Sequence, residues 1–540
     1  MNPLQKLSVQ TVTVQTVVIA TALFMTAFMN LTFFRHLLQT YGTSPAALAK
    51  IATVALVLSS LTGTVISLLS FSRTVKPLLI LLLLLSSQAA YFMDTYDVVI
   101  DANMLQNLVE TNLAEVRDLL SLKQFAYLAL LGITPSLLLY RLPIHPQPIR
   151  SLWLAKAKTI GIAVGVTLML MLGLSKFYAS ALREHKPLRF YSNPSYYLYA
   201  VGDYLASRTL KPGPSLQAIG TDVRLARREP GRRLVIAVVG EAARGDHFSL
   251  NGYARETNPL LKQERIINFP RFSSSGTETA VSVPCMFSIF GRTAYTKNKA
   301  QNTENVLDIL QRAGVSVLWR DNNSSSKGVA DRVPYQDFRS STVNPVCQDG
   351  ECRDVGMLAG LEEYIAGQPS GDILIVLHQM GNHGPAYYKR YPQEFESFTP
   401  VCRSNQLDQC SQESIINGYD NALLYTDYFL SQVIGFLKQR DDTFQTALLY
   451  LSDHGESLGE LGLYLHGFPY AIAPEAQTHV AALIWFGSRF PVDLAGLQQR
   501  AANPYSHDYL FHTLLGIFGA VSTVYQPEFD ILYGLKGQRG

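Results

Sequence analysis

The sequence predicts a helical membrane domain followed by an α/β domain, and three patterns support this fold class. The 540 residues are 48% hydrophobic and only 16% charged, which is too apolar for an ordinary soluble chain. The first third gathers its apolar residues into five stretches without any charge. The rest alternates short β-branched runs with helical patterns, as α/β domains do.

Each uncharged stretch is interpreted as a membrane-spanning helix within residues 1–180. A spanning helix needs roughly 20 apolar residues, within a range of about 17–25, so the last three stretches need flanking residues to complete them. The first stretch is too long for a signal peptide and lacks a clear cleavage site. The alternative, five buried core helices, is disfavoured by their number. The stretches are residues 11–34, 51–71, 77–93, 125–140 and 159–174.

The basic residues between the stretches predict the orientation. Two loops contain lysine and arginine: Arg73 and Lys76 in one, and Arg141, Arg150, Lys156 and Lys158 in the other. The loop between stretches three and four is acidic instead. The positive-inside rule places the basic loops in the cytoplasm. An odd number of spans then sends everything after residue 174 to the periplasm of a bacterium with two membranes, which predicts a multi-pass inner-membrane protein.

The five cysteines agree with an exported domain. Cys347 and Cys352 form one close pair, and Cys402 and Cys410 form another, both in loop-like sequence. Disulfides persist in oxidising compartments, so we predict two short disulfide loops and an unpaired Cys285. The alternative, metal binding, is disfavoured because these spacings do not suit zinc.

Residues 181–222 connect the two domains in this interpretation. They contain the tyrosine-rich stretch "FYSNPSYYLYAVGDYL", and aromatic residues favour the membrane–water interface. We predict an interfacial bridging helix or linker. The first helices of the catalytic domain are an equally weighted alternative.

Residues 223–540 are predicted to form an α/β domain around a parallel sheet. Five nearly continuous apolar runs are typical of strands buried on both faces; they are residues 233–240, 315–320, 372–378, 446–452 and 479–487. Residues 303–313 and 414–439 have helical patterns between them. Ligands of such folds bind beyond the carboxyl ends of the strands.

Acids and imidazoles follow three of these strands. One at a time they suit turns as well as ligands, but several at one sheet edge indicate a metal site. Carboxylate and imidazole are zinc ligands, and paired metals suit phosphoryl transfer. We therefore predict one tight Zn²⁺ site and room for a second. The residues are Glu241, His378, His383, Asp453, His454 and His466.

The stretch "SSSGTETAVSVPCMFS", residues 273–288, supplies candidate nucleophiles. A glycine before Thr277 and Thr279, followed by small residues, suggests a loop that enters a helix, whose free N–H groups would face a phosphate. A hydroxyl beside a metal loses its proton more readily. Composition alone would favour a surface loop.

Five motifs together resemble the phosphoethanolamine transferases of the alkaline phosphatase superfamily, of the type that modifies lipid A and confers polymyxin (colistin) resistance. The motifs are "VVGEAARGDHFSLNGY", "GTETAVSVPCMFS", "WRDNNSSSKG", "HQMGNHGPAYYKRYP" and "LSDHGESLGELGLYLHG". The resemblance covers the whole chain and implies a sulfatase-like periplasmic fold. It also implies that Thr279 carries phosphoethanolamine and joins Glu241, Asp453 and His454 around the first zinc.

The resemblance assigns roles to further residues. His383 and His466 match residues near a second zinc or the bound phosphate, and Ser324, Lys327 and His378 match other polar residues of the substrate site. Similar enzymes often have a cysteine in place of Ser275, where it pairs with a cysteine at the position of Cys285.

The implied reaction is a double displacement. Phosphatidylethanolamine donates its head group to Thr279, diacylglycerol leaves, and a lipid A phosphate takes the head group from the threonine. His383, His466 and Lys327 are the other candidate catalytic residues. We expect membrane partners, a monomer and no nucleic acid. Another acceptor, such as lipopolysaccharide core or glycan, and a phosphoglycerol transferase remain alternatives.

Two other classes are disfavoured. A sulfatase would have arginine at the position of Met286, and a transporter would have charges within its spans.

Asn107, Thr111 and Glu115 recur at i, i+4 and i+8 in the outer loop "DANMLQNLVETNLAEVRDLL", on one face of a predicted helix. Spacing alone favours a solvated face. The resemblance and the periplasmic side favour binding of phosphatidylethanolamine, because a carboxylate suits an ammonium group and amides suit phosphate oxygens.

Overall fold

The computed structural model describes residues 12–535 except 102, 103, 106–119, 146, 176, 179–185, 210–215, 227–230, 349 and 406. Two compact units make up this part of the chain. The first comprises the described residues of Met1–Leu105 and Leu120–Ala206, and the second those of Ser207–Gly540. The first is helical and the second is α/β, as predicted.

The helical unit contains membrane-length helices. Among its described residues, four helices are long and apolar enough to cross a bilayer, and a bent pair makes a fifth if it is one span. Their outer surfaces carry exposed leucines such as Leu130 and Leu172, which suit contact with lipid. The helices are α1 Val14–Phe28, α2 Leu31–Tyr41, α3 Pro45–Leu69, α4 Val75–Tyr96, α5 Leu122–Arg141, α6 Ile149–Gly173 and α7 Ser195–Thr209.

The first predicted span is not one straight helix. It breaks before Asn30, and α1 and α2 meet at a bend of 58°. The Asn30 side chain donates to the carbonyls of Met25 and Asn193, at 3.0 and 2.8 Å, and accepts from the Asn193 N–H at 2.8 Å. Asp94 accepts from the N–H and hydroxyl of Thr32 at the start of α2. Backbone groups at membrane depth need such partners, and here side chains supply them.

The second basic loop is shorter than predicted. Helix α6 begins ten residues before the predicted stretch and includes Arg150, Lys156 and Lys158. The Lys156 side chain is buried, donates to the Leu68 carbonyl at 3.2 Å and lies over the Phe71 ring. A lysine ammonium at the end of α3 satisfies a carbonyl that the helix leaves without a partner.

The α/β unit is organised around a seven-stranded sheet. Its strands, in chain order, are β1 Arg232–Gly240, β2 Ile266–Asn268, β3 Ser316–Asp321, β4 Tyr335–Asp337, β5 Ile373–His378, β6 Phe444–Ser452 and β7 Ala482–Phe486. In space they follow the order β2-β7-β6-β1-β5-β3-β4. Four two-residue pairs accompany it among the described residues: Arg224–Leu225 with Ala520–Val521, Phe272–Ser273 with Tyr505–Ser506, Cys347–Gln348 with Glu351–Cys352, and Ser457–Leu458 with Tyr464–Leu465.

The prediction that every strand is parallel is wrong for β7. This strand pairs antiparallel with both β6 and β2, whereas β1, β3, β4, β5 and β6 are parallel. An apolar run reports burial on both faces and not the direction of the strand. All five residues of β7 are indeed buried.

Helices cover both faces of the sheet. Alternate residues of β1 enter two different cores, Leu234, Ile236 and Val238 on one face and Val235, Ala237 and Val239 on the other, as side chains of a strand must. The helices are α8 Thr279–Met286, α9 Gly291–Ala294, α10 Lys297–Gln301, α11 Val306–Arg312, α12 Leu361–Ala366, α13 Gln412–Lys438, α14 Glu475–Thr478, α15 Leu494–Arg500 and α16 Leu510–Phe518.

Both predicted disulfides are present. Cys347 is bonded to Cys352 and Cys402 to Cys410. Cys285 is a buried free cysteine, also as predicted.

Candidate active site

The candidate active site begins where two neighbouring parallel strands end. Gly240 closes β1 and Ser452 closes β6, and these residues face each other in the register of the sheet. Glu241 follows the first strand, and Asp453 and His454 follow the second. Parallel register therefore places the three side chains together at one edge of the sheet.

These three residues form a cluster that could hold a metal ion. One ligand atom from each lies within 4.8 Å of the others, and all three residues are buried. The His454 Nε2 atom lies 3.3 Å from Glu241 Oε1 and 3.4 Å from Asp453 Oδ2. The two carboxylates and one imidazole form an oxygen and nitrogen donor set without sulfur, of a kind that zinc accepts.

Neighbouring groups orient these donors. The Gly455 carbonyl lies 2.8 Å from His454 Nδ1 and accepts its proton, which leaves Nε2 as the nitrogen that faces the carboxylates. The Asn323 amide donates to Glu241 Oε2 at 2.8 Å. The N–H groups of Ala242 and His454 donate to Asp453 Oδ1.

The remaining carboxylate oxygens show that a cation fits. Glu241 Oε1 and Asp453 Oδ2 are buried and have no hydrogen-bond partner among the described residues. Buried polar atoms without partners are rare and costly. A divalent cation between them and His454 Nε2 would satisfy all three atoms.

The charges of the cluster are strongly coupled. Burial raises the pKa of Asp453, and the Glu241 charge acts in the same direction. Burial opposes ionisation of Glu241 too, but His454 holds the pKa of Glu241 well below its usual range. Burial alone would lower the pKa of His454, whereas the two carboxylates raise it to about 10. The cluster thus attracts a positive charge, either a proton or a metal ion.

Thr279 brings a hydroxyl to the same point. It is the first residue of α8, and its Oγ1 donates to Glu241 Oε2 at 3.1 Å and lies 3.3 Å from His454 Nε2. Gly276 allows the loop to pass close to this helix, since a Cβ atom there would lie 2.8 Å from Ser282 Oγ. The Thr277 hydroxyl instead donates to the Phe468 carbonyl at 2.6 Å.

The loop before α8 is held by a histidine. The Ser275 N–H donates to His507 Nδ1 at 3.0 Å, and His507 Nε2 donates to the Ser452 carbonyl at 2.9 Å. This imidazole ties the loop to the end of β6. Cys285 lies next to Ser275, whose hydroxyl interacts with the thiol.

His383 and His466 lie beside the cluster. The ring centroids of His466 and His454 are 4.2 Å apart, and those of His466 and His383 are 6.2 Å apart. His466 Nδ1 lies 3.2 Å from Glu456 Oε2. Burial lowers the pKa of His383 to about 4, and Arg390 contributes in the same direction, so its imidazole is neutral at physiological pH.

The loop after β3 places Ser324 and Lys327. The Asp321 carboxylate accepts from the N–H groups of Asn323 and Ser325, at 2.9 and 3.3 Å, and Lys327 Nζ donates to the Ser324 carbonyl at 3.1 Å. Ser325 and Lys327 have φ values of 98° and 51°. Non-glycine residues in this region cost on the order of 1–3 kcal/mol each, so the surrounding contacts hold the loop in a strained shape.

His378 lies at the carboxyl end of β5 and is fully buried. Its Nδ1 atom lies 2.9 Å from Asp321 Oδ2, which also accepts from Trp319 Nε1 at 2.9 Å. Burial would lower the pKa of His378, but the Asp321 charge and this hydrogen bond raise it. His378 Nε2 has no hydrogen-bond partner among the described residues.

The structure also identifies residues that sequence reasoning missed. Asn323 holds Glu241, Glu456 faces His466, and Asp321 supports His378. Glu456 lies two residues after His454, and this closeness to two predicted metal ligands could have identified it from the sequence. Asn107, Thr111 and Glu115 lie outside the described residues.

Comparison with known proteins identifies the family of this chain. Residues 233–520 match the family model described as Sulfatase, and residues 58–209 match the one described as Phosphoethanolamine transferase EptA/EptB. The chain is 44% identical to phosphatidylethanolamine transferase Mcr-1 of Escherichia coli, over 91% of this chain and 92% of the relative. It is 41% identical to phosphoethanolamine transferase EptA of Escherichia coli K12, over 93% and 94%.

A solved structure shares the whole architecture. The integral membrane lipooligosaccharide phosphoethanolamine transferase A of Neisseria meningitidis superimposes with a TM-score of 0.93 at 34% identity, over 96% of this chain and 98% of that one. The match confirms the predicted combination of a helical membrane domain and an alkaline-phosphatase-like domain. The chain belongs to the family of phosphoethanolamine transferases that includes EptA and Mcr-1.

Proposed function

We propose that this chain transfers phosphoethanolamine from phosphatidylethanolamine to a phosphate of lipid A and thereby gives resistance to polymyxins such as colistin. Its relatives are phosphoethanolamine transferases of bacterial membranes. The observation that carries the proposal is the Thr279 hydroxyl, within 3.3 Å of Glu241 and His454 at the start of a buried helix. The protein is a multi-pass inner-membrane enzyme with its catalytic domain in the periplasm.

The reaction is proposed to proceed in two displacements at Thr279. In the first, a bond forms between Thr279 Oγ1 and the donor phosphorus, the bond from phosphorus to diacylglycerol breaks, and the proton passes to the leaving oxygen. In the second, a lipid A phosphate oxygen bonds to phosphorus, the bond from phosphorus to Thr279 Oγ1 breaks, and Thr279 Oγ1 regains its proton. Neutral His383 and the adjacent His466 are the candidate proton carriers, and Ser324, Lys327 and His378 support the phosphate site.

We propose Zn²⁺ as the metal, held by Glu241, Thr279, Asp453 and His454. When bound, zinc would make the threonine hydroxyl more acidic and would stabilise negative charge near the phosphorus. His383 and His466 are proposed to face a second ion or the donor phosphate. We retain residues 1–180 as the membrane domain, 181–222 as an interfacial bridge and 223–540 as the catalytic domain, in a monomer without nucleic-acid partners.

The acceptor is tested by mass spectrometry of lipid A. Cells that express the chain should yield lipid A carrying added phosphoethanolamine, and their growth should tolerate more colistin. Core sugars or glycans that carry the group while lipid A stays unmodified would support the alternative acceptors. Added phosphoglycerol would support the other transferase class.

The metal is tested by chelation. Because the donors are oxygen and nitrogen atoms on protein loops, EDTA should remove the ion and abolish transfer, and added Zn²⁺ should restore it. Elemental analysis of the purified protein should find zinc. Full activity after EDTA in a protein without zinc would refute this assignment.

A further inference from the structure

A cavity lies beside helix α8, which begins with the proposed nucleophile Thr279. It has a volume of about 220 Å³ and is bordered by Ala280 and Pro284 on one face of α8. Its other walls include Tyr295 and Lys297 from the segment after that helix, and Lys327 and Arg332 from the loop after β3. Ala280 follows Thr279 in the chain, so the cavity lies along the helix that begins with the proposed nucleophile.

The charges around this cavity favour an anion. Lys297, Lys327 and Arg332 contribute three cations, against the one lining carboxylate, Asp331. Arg332 pairs with Asp308 at 2.7 Å. Burial raises the pKa of Asp331, while the Arg332 charge lowers it and the Asp308 charge raises it. Three cations thus outnumber the two carboxylates when Asp308 is counted with Asp331.

Hydrogen-bonding groups and flat apolar surfaces accompany these charges. The Tyr295 hydroxyl is buried and has no hydrogen-bond partner among the described residues. Pro284 has no N–H, so the Ala280 carbonyl lacks its helical donor. Ala280 and Pro284 also present apolar atoms. A volume of 220 Å³ is room for about seven waters. These properties suit a phosphorylated sugar, which combines an anion, hydroxyl or amino groups and an apolar ring face.

We propose that this cavity binds the phosphorylated amino sugar of the acceptor during the second displacement. The inference rests on the proposed function and extends it to the position of the second substrate. The sugar lies against α8, its phosphate oxygen bonds to the phosphorus carried by Thr279, and the bond from phosphorus to Thr279 Oγ1 breaks. Lys327 lines this cavity and is also proposed for the phosphate site, so in this proposal it contacts the phosphate in both steps.

Binding of a soluble probe tests the site without any reaction. Glucosamine 1-phosphate is titrated into the full-length protein in detergent. Lys297→Ala should weaken its affinity by about tenfold or more, as loss of a charge-assisted hydrogen bond does. Tyr295→Phe should weaken it less and should leave the melting temperature unchanged, because that hydroxyl bonds to no described residue. Lys299→Ala is the control: Lys299 lies on the same helix α10, donates to the Ala294 carbonyl and does not line the cavity.

The two half-reactions are then measured separately. With phosphatidylethanolamine alone, mass spectrometry should find phosphoethanolamine on Thr279 in the wild type and in both cavity variants. With lipid A added, both variants should keep this adduct longer than the wild type, with transfer at least about tenfold slower in Lys297→Ala and slowed less in Tyr295→Phe. Equal loss in both half-reactions, or unchanged probe binding, overturns the proposal.

Inorganic phosphate that binds as tightly as the sugar phosphate overturns the sugar assignment. Probe binding that depends on Lys297 in a protein without transferase activity supports the cavity and refutes the proposed function.

Discussion

Thr279 owes its proposed role to the position of its hydroxyl. Replacement by alanine removes that oxygen and leaves a good helix former at the start of α8, so the fold should persist. Thr279→Ala should lower transfer by at least about a thousandfold, as loss of a covalent nucleophile does, and no adduct should form. Intact-mass spectrometry after incubation with phosphatidylethanolamine measures this. Thr279→Ser keeps a hydroxyl and should keep part of the activity. Transfer by Thr279→Ala at the wild-type rate would exclude the assignment.

His507 predicts a pH dependence of stability. Burial lowers its pKa from 6.5 to about 4, and the nearby His454 adds to the shift. The unfolded chain therefore takes up a proton first, so this contribution is complete above about pH 6.5 and is lost as the pH falls towards 4. The loss approaches about 3 kcal/mol. Melting temperatures at pH 7.5 and 5 should differ more for the wild type than for His507→Asn. An equal difference in both proteins would contradict this.

The residues at the strand ends could be predicted from the sequence because the strands themselves are recognisable as apolar runs. Glu241, Asp453 and His454 each follow a run of buried apolar residues. Asn323 could not be chosen in the same way. It lies among asparagines and serines that suit a turn equally well, and only the fold shows that its amide reaches Glu241.

At the scale of elements, the loop before α8 can be fixed in two ways, by a hydrogen bond to His507 or by a disulfide to Cys285. This chain uses the Ser275 backbone and His507, and Ser275 lies beside the free Cys285. Ser275→Cys should form a disulfide with Cys285 and raise stability by up to about 3 kcal/mol, because it closes a loop of about ten residues. Thiol labelling of unfolded, non-reduced protein should tag one cysteine in the wild type and none in the variant. Two tags in the variant would show that the bond does not form, and Ser275→Ala controls for loss of the hydroxyl.

The sequence could not specify the direction of strand β7 or the bend between helices α1 and α2. The β7 run predicted a buried strand, but hydrophobicity carries no information about antiparallel pairing. The bend before Asn30 has neither proline nor glycine at the break, and the Asn30 side chain there exchanges hydrogen bonds with the distant Asn193. Such long-range hydrogen bonds become visible only when the helices are packed.

For the whole molecule, the acidic outer loop provides a test of how the donor lipid is bound. If Asn107, Thr111 and Glu115 bind phosphatidylethanolamine, Glu115→Ala should lower transfer from the lipid by about tenfold, because an ammonium partner is lost. Cleavage of a small soluble phosphodiester should stay near normal. Glu110→Ala, which removes another carboxylate of the same loop, is the matched control. Equal loss on both substrates would indicate misfolding, and no loss on either would favour a solvated face.

The candidate metal cluster also bears on which ion the protein acquires in the cell. Glu241 and Asp453 are separated by more than two hundred residues, and only the completed pairing of β1 with β6 brings them together. The unfolded chain therefore has no such cluster, and an ion held by these residues would bind only after the domain folds. Oxygen and nitrogen donors bind several divalent metals, copper more tightly than zinc. For a periplasmic domain, the free-metal pool of the periplasm, and not that of the cytoplasm, would thus decide which ion the cluster binds.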